Sequence, residues 1–292
     1  MMDKPTYRRI GIVGSGRVAR ALALGLGPHS AAVPLLWGRS VERVRDAVGQ
    51  VGRAEGVTAL DTLSKASDLI VIAVSDDAVG AVAADLACAM SRSTPFVFHV
   101  SGRSGAAILD PLRERGAVTA AIHPVMTFTG DPHGEVRRMA GARFAVTGSS
   151  ADAIAQAKAV VQALDGVAVE IREEHRPLYH AALCHAANHL VTLLSGSNRA
   201  LTAAGVDDPN ALLAPLVCAA LENSLAHGFA ALSGPLLRGD GDTIDGHLAA
   251  LASHCPEVLP AYRAMALATL DELERTGAAP QFGEGRLALL TP

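Results

Sequence analysis

Aromatic side chains make up only 3% of the 292 residues, and the formal charge is −4. Nucleic-acid binding needs a basic footprint and, for single strands, aromatic stacking platforms. This chain has no basic run and no stacking set, so nucleic acid is not an expected partner. Cysteine is equally scarce. Cys88, Cys184, Cys218 and Cys255 are scattered, with no C-x-x-C pair and no metal-ligand spacing. They read as reduced, buried thiols of a cytoplasmic protein, with no metal expected. No apolar stretch reads as approaching the roughly 20 residues that cross a bilayer, so no membrane partner is expected. Met1-Met2-Asp3-Lys4 leads toward the first strand without room for a signal peptide. What remains is a globular composition: 50% hydrophobic, 18% charged, and long enough for one large or two ordinary domains.

The most informative stretch is Arg9-Ile10-Gly11-Ile12-Val13-Gly14-Ser15-Gly16-Arg17-Val18-Ala19. An apolar strand runs into a glycine turn, and the turn opens a helix rich in alanine and leucine. Gly14 to Ala19 fits the G-x-G-x-x-G/A dinucleotide fingerprint, with Ala19 in the third small position. Gly14 permits the tight turn, Gly16 a close approach of backbone to pyrophosphate, and Ala19 tight packing of helix on strand. The helix N-terminus then presents unpaired N–H groups to the anion. Gly14, Ser15, Gly16, Arg17 and Val18 are therefore the expected phosphate-binding turn.

Folds specific for NAD carry an acidic residue about 20 positions beyond the glycines. Here that place holds Gly38-Arg39-Ser40. Arg39 can form charge-assisted bonds to a 2′-phosphate and Ser40 can add a hydroxyl, so NADP is the expected cofactor. Asp68 to Ser75 is an unbroken apolar strand ending in Val74-Ser75, read as parallel, buried on both faces and bordering the cofactor. Asp76-Asp77 reads as a helix cap rather than a metal pair.

Strand and helix patterns alternate as far as residue 171, and from Arg176 onward only helical spacing remains. The expected fold is α/β, with a doubly wound, mostly parallel Rossmann domain over residues 1–174 and an all-α domain over residues 175–292. Pro177 and Gly205 bracket a predicted helix of about 28 residues, roughly 42 Å at 1.5 Å per residue. A helix this long and apolar has more surface than a small domain covers, so a homodimer through the helical domain is expected.

A reductase also needs a substrate clamp and a proton source. Ser101 and His123 stand at predicted strand ends, facing the crevice of an open sheet. On the long helix, His180, Cys184, Asn188 and Thr192 recur every fourth residue and share a face. His185 and His189 form another such pair, but the glutamate of H-E-x-x-H is missing, so packing or a dimer interface is the better reading.

Taken with the opening glycine turn, Val100-Ser101-Gly102, His123-Pro124 before Met-Thr-Phe, Tyr179-His180-Ala181-Ala182, Asn188, and Gly234-Pro235 with Arg238-Gly239-Asp240 form one ordered set. Over nearly its full length the chain resembles Rossmann-like oxidoreductases whose helical C-terminal domain is uncharacterised. That group is related to pyrroline-5-carboxylate reductases and β-hydroxyacid dehydrogenases, and some members are alternative ketopantoate reductases. The resemblance implies an NADPH-dependent reductase of a small carbonyl acid, ketopantoate first and a pyrroline-type imine second. In the dehydrogenases a lysine precedes the helix asparagine by four residues; here that position is Cys184. Asn188 and Ser101 are then assigned to substrate orientation, and His123 or His180 to proton donation. The missing lysine also supports a different class, an NADP(H)-binding redox sensor without turnover.

Overall fold

The structure, a computed structural model, describes residues 6–90 and 94–278. The reading of the first four residues lies outside them. Two compact units divide between Leu183 and Cys184, further along the chain than the expected boundary at residue 174.

The first unit alternates strand and helix. Its elements are β1 (Ile10–Val13), α1 (Arg17–Leu26), β2 (Leu35–Trp37), α2 (Val41–Val51), β3 (Glu55–Val57), α3 (Leu60–Ala66), β4 (Leu69–Ile72) and α4 (Val79–Ala89). There follow β5 (Phe96–His99), α5 (Asp110–Arg113), β6 (Val118–Pro124), α6 (Pro132–Met139), β7 (Arg143–Gly148), α7 (Ala151–Ala163), β8 (Val167–Glu170) and α8 (Arg176–Leu183). The eight strands form one sheet in the order β3-β2-β1-β4-β5-β6-β7-β8. Only β6 and β7 pair antiparallel. This is the expected doubly wound, mostly parallel arrangement. The unbroken apolar run of β4 has the expected cause. Leu69 and Val71 enter one hydrophobic cluster and Ile70 and Ile72 another, so both sheet faces are covered.

The order reverses between β1 and β4. Chain leaving β1 turns toward β2 and chain leaving β4 turns toward β5, which opens a crevice at the carboxyl ends of both strands. Local signals set the helices around it. Ser40 Oγ accepts the Arg43 N–H to start α2, and Ser150 Oγ accepts that of Ala153 to start α7.

The second unit is helical: a π turn (Cys184–Asn188), then α9 (His189–Ala203), α10 (Pro209–His227), α11 (Pro235–Arg238), α12 (Gly241–His254) and α13 (Leu259–Arg275). Asp208 caps α10 and Asp240 caps α12 through their carboxylates. A small core joins Ile244 and Leu248 to Ala266, Leu270 and Leu273.

Four expectations need correction. The single long helix is interrupted by the π turn, whose wider winding breaks the four-residue register behind the face of His180, Cys184, Asn188 and Thr192. Asp76 and Asp77 do not cap a helix. They begin a short 3₁₀ turn and pair with Arg103, Asp77 at 2.5 Å. No disulfide joins the four cysteines, but only Cys255 is buried, and Cys88 and Cys218 are exposed. Finally, Pro209–Arg238 contains an 18-residue window of mean hydropathy 1.3, long and apolar enough to cross a membrane by length and composition alone, and none of that window is buried. Pro215, Glu222 and Asn223 interrupt the run, while the alanines and leucines around them keep the average high.

Candidate active site

The glycine turn is set by its neighbours. The Gly14 N–H donates to the Trp37 carbonyl at the end of β2 (2.7 Å), and the Ala73 N–H beyond β4 donates to Val13. Gly14 has φ +137°, and a Cβ there would collide with the Ala73 carbonyl, so only glycine fits. Gly16 differs. Its φ is −76°, open to any residue, and a Cβ would meet no atom within 4 Å. No side chain caps α1 at this residue, which leaves first-turn N–H groups directed outward.

A cleft of 1070 Å³ lies over this turn. Gly14, Ser15, Gly16, Arg17 and Val18 line it from the turn, Arg39, Ser40 and Arg43 from beyond β2, and Val74 and Ser75 from beyond β4. Every residue expected to meet the cofactor thus borders one cavity. Arg43 is an addition that its place four residues after Arg39, in the first turn of α2, would have signalled. A carboxylate, Asp85, borders the cleft from α4 rather than from the end of β2. The Arg17 guanidinium donates to the Phe128 carbonyl at 3.1 Å. These residues suit a dinucleotide: open backbone at a helix N-terminus for a pyrophosphate, and two arginines beyond β2 for a further phosphate.

Further along the same sheet edge lies a buried polar cluster. His99, at the end of β5, bonds the Gly105 carbonyl through Nε2 (2.8 Å) and receives the Ser101 N–H on Nδ1 (3.1 Å). A carbonyl only accepts and an amide N–H only donates, so the imidazole carries its proton on Nε2 and is neutral. Burial pushes its pKa down to about 4. Ser101 is 3% exposed, and its Oγ accepts the Ser104 N–H, so it serves the turn after β5.

His123, on β6, places Nδ1 2.7 Å from the Tyr179 hydroxyl, with the two rings edge to face. His180 stands edge-on to the same imidazole, with ring centroids 6.2 Å apart. Gly102 lies beneath both: a Cβ there would be 2.6 Å from His180 Cδ2 and 3.0 Å from His123 Nε2. Burial first, then the Arg176 charge, lowers the His123 pKa to about 4, while burial raises Tyr179 to about 12. At neutral pH the imidazole is therefore uncharged and the phenol protonated.

Ser101, His123 and His180 come together at this edge. Asn188 belongs to the second unit, where it is exposed in the π turn. His185 and His189 bring their Nδ1 atoms within 3.1 Å there; among the described residues no group of three potential metal ligands is found. Sequence reasoning missed the importance of Tyr179, Arg176 and Gly102. Tyr179 directly precedes a singled-out histidine, but nothing in its spacing announces a bond to a residue 56 positions earlier.

Residues 3–124 match a Rossmann-like domain family, and residues 142–269 match a domain of unknown function, DUF2520. The first part of the chain is thus similar to Rossmann-like domains and the later part to DUF2520 domains. The DUF2520 match begins within the sheet, just before β7, and so includes the last two strands. No curated protein matches the chain. Among solved structures it is similar to BF3122 of Bacteroides fragilis, whose assignment as an NADP oxidoreductase is itself provisional: TM-score 0.74, 19% identity, 91% of this chain and 99% of that one. A reductive aminase from Aspergillus terreus in complex with NADPH and ethyl-5-oxohexanoate gives 0.69 at 19% identity, over 98% and 99%. An imine reductase from Myxococcus stipitatus in complex with NADP⁺ gives 0.65 at 16%, over 97% and 100%. At these identities the likeness is one of fold.

Proposed function

We propose that this chain is an NADPH-dependent reductase of a small C=N or C=O substrate, acting as a homodimer in the cytoplasm. The observation that carries this reading is Gly16. Gly14 is demanded by the chain itself, whereas nothing inside the chain asks for a glycine at 16. Such a residue fits a backbone approached from outside by a pyrophosphate, on a helix N-terminus that favours the anion. Arg39 and Arg43 suit the 2′-phosphate that separates NADPH from NADH. The reductive aminase and the imine reductase named above, in complex with NADPH and NADP⁺ respectively, support the same choice.

When bound, NADPH supplies a hydride; the protein must orient the acceptor and manage a proton. We assign the proton to the Tyr179 hydroxyl, held by His123, rather than to a histidine cation, because the His123 pKa of about 4 leaves it uncharged at neutral pH. His180 completes the wall beside them. Ser101 shapes the turn below, and Asn188 keeps its assignment to substrate orientation. Two neutral groups and no lysine favour an imine, whose nitrogen is a stronger base than a carbonyl oxygen and takes the phenol proton more readily. Reduction of ketopantoate is the second reading, supported by the resemblance and opposed by Cys184 in the lysine position. Four cysteines with no disulfide among them support a reducing compartment.

The test is NADPH oxidation with pyrroline-5-carboxylate and with ketopantoate separately, and NADH as control. Turnover of the imine with NADPH supports the first reading, and turnover of the keto acid the second. Tight NADPH binding without turnover of any small imine or carbonyl compound would replace both with the redox sensor.

A further inference from the structure

Arg176 is fully buried at the first residue of α8, yet its hydrogen bonds meet no carboxylate. Nε donates to Thr147 Oγ1 (2.8 Å), and Nη2 donates to the carbonyls of Ala121 (3.1 Å) and Ala145 (3.0 Å). Thr147 in turn donates to the Ile171 carbonyl. Nη1 is buried with no partner. The Glu173 carboxylate favours the charge from a distance, but a buried cation hydrogen-bonded only to neutral acceptors is costly to keep, so its geometry should matter. That geometry is specific. Ala121 lies on β6, and Ala145 and Thr147 lie on β7, so one planar guanidinium spans the antiparallel pair at the carboxyl edge of the sheet. An ammonium has no rigid fork with which to do the same.

Two residues beyond Ala121 comes His123; three and four residues beyond Arg176 come Tyr179 and His180. The guanidinium carbon lies 5.7 Å from the centre of the Tyr179 ring. We propose that Arg176 is a positioning residue for the proton-handling pair, fastening the helix that carries Tyr179 to the strand that carries His123. This rests on the reductase reading for the role of the pair, but not for the fastening.

The charge acts in the same direction as the geometry. His123 is faced by Arg176, Tyr179 and His180 from α8, by His99 from β5 and by Asp76 from beyond β4. Arg176 opposes a proton on His123 and on His99, and Asp76 favours one on each. The cation therefore helps hold the imidazole neutral beside a protonated phenol. It also draws the Tyr179 pKa down against the effect of burial, which makes the phenol a better acid than burial alone would leave it.

The experiment pairs R176K with R176M in the full chain and reads the His123 ring proton by NMR across pH 3 to 8, alongside NADPH affinity and turnover. In R176M the His123 midpoint should rise by about one unit or more, as expected when a like charge is removed nearby. In R176K the charge remains and the midpoint should stay low, while the lost fork lowers kcat about tenfold to a hundredfold with NADPH affinity unchanged. An R176M protein with the wild-type midpoint overturns the electrostatic part. R176K turnover equal to wild type overturns the positioning, and this arm still decides if R176M does not fold. Should the wild-type protein reduce no substrate, the reductase reading fails. The fastening is then judged by His123–Tyr179 ring cross-peaks in R176K: their loss supports it and their retention overturns it.

Discussion

Gly102 shows how closely the reactive edge is built. With hydrogen in place of a side chain, it lets His123 and His180 close over the turn after β5. In G102A the new methyl would lie 2.6 Å from His180 Cδ2, inside any real carbon contact, so one imidazole must move. We expect kcat to fall about tenfold to a hundredfold, since misplacement of about 1 Å has that effect. NADPH affinity should be unchanged, because Gly102 does not line the cleft. The measurement is kcat beside a direct NADPH titration; equal losses in both would place the defect in the fold. Arg39 and Arg43 give the complementary result. Replacing both with serine should weaken NADPH binding about tenfold to a hundredfold, the range for hydrogen bonds to a charged group, and leave NADH binding nearly untouched. Of these residues, Arg39 is legible in the sequence because the fingerprint fixes where the ribose reader stands. Gly102 carries no such marker, since its role arises only when β6 and α8 reach the turn from elsewhere in the chain.

At the scale of elements, the parallel strands deliver two neutral histidines to adjacent carboxyl ends, His99 on β5 and His123 on β6. Both have folded pKa values near 4, below the 6.5 of a free histidine. The unfolded chain therefore binds more protons than the folded one between these values. Their contribution to stability is complete above pH 6.5 and is lost as pH falls toward 4. For fully buried His99, at 1.36 kcal/mol per unit, the loss is about 3 kcal/mol. Urea unfolding at pH 7 and pH 4.5 should show a clear drop, and H99N should reduce it, leaving the share of His123. The alternation of strand and helix that builds this edge was legible because period and composition change at each junction. The π turn was not: Cys184–Asn188 has the composition of the helices beside it, and one wider turn leaves no mark on apolar spacing. Arg176 was hidden differently. A charged residue at a helix start reads as solvated, and its burial comes from two strands that it follows by some 30 and 55 residues.

For the whole molecule, the decisive element is α10, none of whose residues is buried. Leu212 and Leu216 are 54% and 66% exposed, and Leu221 and Leu225 are 51% and 80% exposed. At about 100° per residue the first pair points roughly opposite to the second, so the helix is apolar on two sides. A flat neighbour covers one side only. A second copy whose own helices reach around α10 covers both, and a closed two-fold pair needs no other partner. Under the homodimer proposal, the length and composition that let Pro209–Arg238 pass as a membrane span are those of an interface core. The two accounts separate on single substitutions. L216E and L225E should each shift the protein from dimer to monomer in sedimentation velocity, because a buried, unpaired carboxylate on either side is costly. If only one does so, a single face makes the contact and the embrace is wrong. If neither does, and the wild-type chain instead partitions into lipid vesicles, the apolar helix serves a membrane surface rather than a second copy.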